Sequence, residues 1–182
     1  MNTADVIHRI ESESRPLVEE VIAELCANLG TSHYRRWREE DLFERVHTVY
    51  QHLAKWLAGH DSAALREFGE KLGRERFSDA IPLGQVVLAL VLEEKQLVDY
   101  LSRSGAILEE EAQRASSEFF QKTIYATARG YEVALAESNR LARGVPAAPP
   151  EPAAKEPAQS TEAKNNKELE ISRGGQVGEF GG

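Results

Sequence analysis

The fold of this chain is decided by residues 74–101, RERFSDAIPLGQVVLALVLEEKQLVDYL. Proline suits the first turn of a helix, because its fixed φ is helical and its missing N–H needs no partner there. A long helix is therefore predicted to begin at Pro82. Its apolar residues recur with a period of about 3.6 and share one face, which predicts a buried side. These residues are Val86, Val87, Leu90, Val91, Leu97, Val98 and Leu101.

Two further helices are predicted before this stretch. The first covers residues 3–29, where Pro16 either kinks the helix or follows a new start capped by Ser14, and Gly30 supplies the stop. The second covers residues 41–59, with Asp41 as its N-cap. Both carry continuous apolar faces, so both are expected to pack in the same core.

A third helix is predicted to begin at Asp61 or Ser62 and to reach Leu72, with residues 73–81 as the connection to the helix at Pro82. The fifth helix covers residues 106–144 and would be about 55 Å long at 1.5 Å per residue. That length exceeds what the core of so small a domain needs. The sequence therefore predicts an all-α bundle of five to six helices with a long last helix.

Composition divides the chain into two parts. The 182 residues, 41% of them hydrophobic, suffice for one core, which is assigned to residues 1–143. Residues 144–182 are rich in proline, alanine and glutamate and hold most of the seven prolines. Such a segment buries too little apolar surface to offset the entropy of ordering, so it is predicted to be a disordered tail. Its expected role is that of a tether or docking peptide.

Charge and cysteine content limit the partners and the compartment. The formal charge of -8 argues against nucleic acid, whose binding depends on cations. A single cysteine, Cys26, and a polar start favour a reducing cytoplasm. The longest apolar run, residues 86–92, is far shorter than the roughly 20 residues that span a bilayer, so no membrane segment is predicted.

The search for chemistry predicts no enzyme, cofactor or metal. The glycines form no phosphate-binding loop. Glu44 and His47 form one Glu-x-x-His step, whereas di-iron bundles use two such steps and two more glutamates. The basic and aromatic cluster at residues 34–38, YRRWR, either binds an anionic group or offsets the acidic residues that follow it.

Several short motifs together resemble a known family. They are Tyr34 with Trp37, residues 53–61 (LAKWLAGHD), residues 72–76 (LGRER) and residues 81–83 (IPL), within a match over residues 5–143. The chain resembles the N-terminal domain of the RsbR and RsbRD proteins, the RsbT co-antagonists of bacterial stress signalling. This resemblance implies a globin-like fold without haem, a homodimer, and a signal passed through the last helix to an effector domain. Here the proline-rich tail follows that helix.

The expected function is that of a non-enzymatic regulatory domain of the stress-response type. Because the apolar stripe of the fifth helix extends beyond the core, a symmetric partner helix is expected to cover it. The predicted dimer contacts are Phe119, Ile124, Tyr131 and Leu135. Regulatory protein partners are expected as well, but the sequence does not identify them.

The alternative is a small-molecule or gas sensor with its ligand in the helical core. Pockets combine apolar walls with a few polar groups, and four residues are assigned to this one: Tyr34, Trp37, Trp56 and Arg76. A catalytic bundle would need carboxylates or histidines that converge in the core. The sequence pattern instead places most charges on outward faces.

Overall fold

The computed structural model describes residues 1–103, 105 and 107–144, and every regular element within them is helical. The elements are α1 (Thr3–Ala27), a 3₁₀ helix (Leu29–Arg36), α2 (Glu39–Gly59), α3 (Ser62–Ser78), α4 (Leu83–Arg103) and α5 (Glu110–Ala142). The predictions of an all-α fold and a long last helix are confirmed. The globin-like arrangement stays a prediction, and the predicted tail lies outside the described residues apart from Gly144.

Two helix starts follow from local side-chain chemistry. The Asn2 side chain accepts a hydrogen bond from the Asp5 N–H, and the Asp5 carboxylate accepts one from the Asn2 N–H, each at 3.0 Å. This reciprocal pair is a capping box. At α3 the Asp61 carboxylate accepts from the N–H groups of Ala63 and Ala64, at 2.9 and 3.0 Å. Asp61 rather than Ser62 is therefore the cap.

The first helix is kinked shortly before Pro16, and it ends two residues earlier than predicted. A kink lies at Glu13 (φ -132°, ψ 22°), and Pro16 continues the helix beyond it. The helix ends at Ala27, because the Asn28 side chain accepts from the Gly30 N–H at 2.9 Å and begins the 3₁₀ helix. Gly30 is thus inside that 3₁₀ helix and is not the stop.

Three other predicted boundaries shift. The second helix begins at Glu39, and the Asp41 carboxylate pairs with the Arg38 guanidinium at 2.9 and 3.0 Å instead of capping. The third helix continues past Leu72 to Ser78, so Gly73 is not part of a connection. The fifth begins at Glu110, four residues after the predicted start.

One contiguous core lies between the helices. It includes the largest fully buried side chains, which are Tyr50, Phe119, Phe120, Leu17, Leu25, Leu42, Leu53, Ile81, Leu97, Leu101, Val6 and Val18. Close packing of this kind is what stabilises a domain of this size against chain entropy. Among the described residues no helix is both long and apolar enough to cross a membrane.

The backbones of α3 and α5 touch through glycines. A Cβ added to Gly73 would lie 2.0 Å from the carbonyl oxygen of Thr127, and one added to Gly130 would lie 2.0 Å from that of Glu70. A Cβ on Gly69 would lie 2.5 Å from the Ala126 Cβ. Gly69 and Gly73 are one turn apart, so they open one face of α3 to the backbone of α5.

The last turns of α5 project beyond the core. Tyr131 is half-buried and meets the Phe77 ring edge to face, with the centroids 5.3 Å apart. After Tyr131 most residues are exposed, including Leu135 at 43% and Leu141 at 72%. Phe77 is near the end of α3, so α3 covers α5 up to this point.

Replacement of Gly130 by alanine should destabilise the protein. The new methyl group would overlap the α3 backbone, which cannot rotate away as a side chain can, and such overpacking costs about 2–3 kcal/mol. Urea unfolding monitored by circular dichroism would measure the change in the free energy of unfolding.

Gly84→Ala is the matched control, because in the described part of the chain nothing lies within 4 Å of its added Cβ. The same substitution in an open helical position stabilises by about 0.4–1 kcal/mol. Equal effects of the two substitutions would contradict the backbone contact.

Candidate functional site

A set of charged and phenolic side chains lies in the interior where the 3₁₀ helix, α2, α3 and α4 meet. We call Tyr34, Arg45, Arg76, Asp79 and Glu93 the Arg76 cluster. Tyr34, Arg76 and Glu93 are each 5% exposed. Buried ionisable groups are rare unless paired, because leaving water costs several kcal/mol. The Arg76 cluster is therefore the first candidate for a functional site.

One carboxylate, that of Asp79, pairs with two guanidinium groups in this cluster. Asp79 Oδ2 lies 2.8 Å from Arg45 Nη1 and 3.7 Å from Arg76 Nη1. The Arg45 guanidinium also stacks over the Trp37 ring, 3.3 Å from its centroid. Stacking on an aromatic face and pairing with a carboxylate are both typical of arginine. Trp37 thereby fixes the position of Arg45.

Glu93 keeps its proton at neutral pH. Burial raises the pKa of this carboxyl to about 8, and the positive charge of Arg76 offsets part of that rise. Within the described residues, neither Glu93 Oε2 nor Arg76 Nη1 has a hydrogen-bond partner. Within the described residues, Arg76 forms its ion pair with Asp79, which Arg45 shares.

Two tyrosines enclose the inner side of the cluster. Tyr50 donates a hydrogen bond to the backbone carbonyl of Glu93 at 2.8 Å, and burial raises the pKa of its phenol well above 10. Burial also raises the pKa of Tyr34 to about 12. Tyr34, Arg76 and Glu93 line a cavity of about 10 Å³. That volume is close to the least that holds one water molecule.

A groove between α2 and α3 opens beside the cluster. Its volume is about 850 Å³, and Trp37, Arg45 and Arg76 line one end. Phe68 and Leu72 form its apolar floor, and the His52 ring stacks on Phe68 with the centroids 3.8 Å apart. Burial lowers the pKa of His52, assisted by two nearby lysines. His52 is therefore uncharged at neutral pH.

Three of the four residues predicted to lie near a ligand come together. Tyr34 and Arg76 line the small cavity, and Trp37 reaches Arg76 through Arg45 and Asp79. Trp56 lies elsewhere, where its indole N–H donates to the Ala115 carbonyl at 3.0 Å. Trp56 thus joins α2 to α5 and is not part of this site.

Sequence reasoning missed three members of the cluster. Glu93 continues the buried face of α4, since it lies three residues after Leu90 and four before Leu97. The helical period could have identified it as a buried carboxyl. Arg45 and Asp79 are 34 residues apart, and no local pattern signals their ion pair.

The four predicted dimer contacts on α5 do not form one surface. Phe119 is fully buried in the core against the Phe120 ring, so its assignment as a dimer contact is wrong. Ile124 and Tyr131 are half-buried, and Leu135 is exposed. The exposed large apolar side chains of α5 are Tyr125, Val133, Leu135 and Leu141.

The remaining candidates for ligands do not converge. Among the described residues no group of three or more histidine, cysteine, aspartate or glutamate side chains could hold a metal ion. Cys26 is a half-buried free thiol that packs against the core.

Glu93→Gln should change how stability depends on pH. The folded pKa of about 8 exceeds the ordinary value of 4.5, so the folded state binds a proton that the unfolded state releases. The free energy of unfolding of the parent should therefore fall between pH 5 and pH 8, by up to about 1.4 kcal/mol per pH unit.

A glutamine side chain at this position cannot ionise, so the variant should have a flatter profile and should exceed the parent most near pH 8. Urea unfolding of both proteins at pH 5, 6, 7 and 8 measures this. Parallel profiles would contradict a proton held on Glu93.

Comparison with known proteins places the chain in no family. No family model matches the sequence, and neither a curated protein nor a solved structure matches the chain.

Proposed function

We propose that this chain is a non-enzymatic regulatory domain that acts as a homodimer, with two copies joined through the end of α5. The observation that supports it most is the exposed apolar face on the projecting turns of that helix. The resemblance to the RsbR and RsbRD N-terminal domains implies the same arrangement in bacterial stress signalling. On this proposal, α5 carries the regulatory state to a protein partner.

The projecting part of α5 has one face that carries no charge. Six of its uncharged residues fall at intervals of three and four, which puts these six on one face of the helix. We call them the α5 stripe, and they are Tyr131, Ala134, Leu135, Ser138, Leu141 and Ala142. The rest of the surface carries the charged residues Glu132, Glu137, Arg140 and Arg143, together with Val133, Ala136 and Asn139.

The α5 stripe continues the face that α3 covers lower down. Gly130 touches the α3 backbone at Glu70, and Tyr131 touches Phe77, which is next to the last residue of α3. Beyond them the side chains keep the same character, yet Leu135 and Leu141 are 43% and 72% exposed. A second copy of α5 can replace α3 as the cover, since a two-fold axis brings identical stripes together.

Small residues in the stripe favour a helix as the covering partner. Ala134, Ser138 and Ala142 are spaced one turn apart, which lets a second helix approach closely. Leu135 and Leu141 then supply the apolar area that leaves water on association. The charged residues on the other face remain in solvent.

The geometry does not favour the alternative of a sensor with its ligand in the core. The cavity beside Tyr34 and Arg76 is about 10 Å³, whereas small-molecule sites measure about 300–1,000 Å³. A haem or a metabolite would have to displace packed core side chains there.

Light scattering on the full chain at tens of micromolar should give twice the monomer mass of 20.2 kDa. The double variant Leu135→Glu/Leu141→Glu should be monomeric with an unchanged far-ultraviolet circular dichroism spectrum. Each buried leucine contributes about 1.5–3 kcal/mol, so losing two weakens association by more than about a hundredfold.

Leu29→Glu is the matched control, because Leu29 is 83% exposed and lies on the 3₁₀ helix. It should leave the dimer intact. A monomeric parent, or a double variant that stays dimeric, would refute the proposal.

A further inference from the structure

We propose that a second groove, between α3 and α5, binds a small phosphate monoester with an aromatic body, whose phosphate group is held by Arg66 and Arg129. The groove has a volume of about 730 Å³, within the range of about 300–1,000 Å³ that is typical of small-molecule sites. One chain supplies all of its walls, so the proposal does not depend on the dimer.

The glycine contact between α3 and α5 positions the two walls of this groove. A Cβ on Gly69 would lie 2.5 Å from the Ala126 Cβ, so the two helices are closest there. Leu65 and Ala126 are buried and form the floor. The longer side chains of Arg66 on α3 and Arg129 on α5 line the groove above this floor.

The charged side chains of the groove have an excess of positive charge. The complete charged lining consists of three cations, Arg66, Lys122 and Arg129, and one carboxylate, that of Glu70. Its formal charge is therefore +2, in a protein whose formal charge is -8. A phosphate monoester carries close to two negative charges at neutral pH, so it would balance this excess.

Ion pairs with residues outside the groove leave this balance unchanged. Glu118 pairs with Lys122 at 2.7 Å and Arg74 pairs with Glu70 at 3.6 Å, so one charge of each sign is added. Asp61 caps α3 beside the groove, and its carboxylate accepts from the first N–H groups of that helix. The partial positive charge of those N–H groups offsets part of the carboxylate charge.

The two arginines are accessible to a ligand. Both Arg66 and Arg129 are exposed, and neither is in an ion pair within the part of the chain that the structure describes. A ligand can therefore reach their guanidinium groups without displacing packed side chains. Each guanidinium has five N–H donors in a planar fork that matches the oxygens of a phosphate. One arginine from each helix would thus bind the same phosphate group.

An exposed aromatic ring lies in the same groove. Tyr125 is 68% exposed, and it lies one turn before Arg129 on the same face of α5. Stacking of a second ring on Tyr125 would remove apolar surface of both partners from water, as when aromatic side chains bind nucleobases. Apolar surface beside an excess of positive charge favours an aromatic ester over inorganic phosphate.

Phenyl phosphate is a suitable probe, because benzenesulfonate has a similar shape and a single negative charge. NMR titration of the full-length protein at pH 8 and constant ionic strength should give phenyl phosphate a dissociation constant of about 1 mM, ordinary for so small a ligand. The side-chain amide signal of Gln121, which lines the groove, should shift, whereas the indole signal of Trp37 should stay in place.

Two other ligands separate the contribution of charge from that of the ring. Benzenesulfonate lacks one negative charge and inorganic phosphate lacks the ring, so each should bind about fivefold more weakly than phenyl phosphate. Tyr125→Ser should weaken phenyl phosphate and leave the affinity for inorganic phosphate unchanged.

Charge substitutions of opposite sign test the balance. Arg66→Gln and Arg129→Gln should each weaken phenyl phosphate about threefold, as expected for the loss of one exposed charge pair. Glu70→Gln removes the one carboxylate of the lining and should strengthen binding, a gain that a merely structural role would not produce. Arg114→Gln is the matched control, because Arg114 is an exposed arginine of α5 outside the groove, and it should leave affinity unchanged.

Four results would overturn the proposal. They are no binding of phenyl phosphate at 20 mM, equal affinities for phenyl phosphate and benzenesulfonate, equal affinities for phenyl phosphate and inorganic phosphate, and equal effects of Arg66→Gln and Arg114→Gln. None of these measurements reports on the dimer, so the two proposals fail separately.

Discussion

The direct contact between the backbones of α3 and α5 determines where α3 packs and where the end of α5 is left uncovered. Gly69, Gly73 and Gly130 have no side chains, so the two helices approach closely. Carbonyl oxygens fill the space where the Cβ atoms of Gly73 and Gly130 would lie, and the Ala126 Cβ fills that space at Gly69. With one face of α3 pressed on α5, the neighbouring face, with Phe68, Leu72 and Arg76, borders the groove to α2. Because α3 ends at Ser78, the same contact leaves the last turns of α5 uncovered.

The Arg76 cluster shows how desolvation and charge compete in a helical core. Near Glu93 the cost of burying an anion exceeds the attraction of Arg76, so the carboxyl stays neutral. At Asp79, which is partly exposed, two arginines hold a single carboxylate. The result is a neutral acid on the inner side of the cluster and, on its outer side, two arginines that share one carboxylate.

The helices could be predicted wherever a local signal decided the structure. Pro82 and the apolar period identified α4, and the start of α3 was narrowed to Asp61 or Ser62, of which Asp61 is the cap. Gly73 was misread because a glycine that ends a helix and one that touches another helix look alike locally. Telling them apart requires Thr127, which is distant in sequence. The Arg45–Asp79 ion pair was hidden for the same reason, whereas Glu93 lay on a face that the period had already marked.

The glycine contact also limits how the sequence can diverge. Every single-base change that turns a glycine codon into that of another amino acid adds at least a Cβ atom, and at Gly73 and Gly130 that atom would meet a carbonyl oxygen at 2.0 Å. No conservative replacement therefore exists at these two positions. Selection would remove such changes whatever the rest of the domain binds. Related sequences are best recognised by the spacing of these glycines, which would outlast similarity elsewhere in the chain.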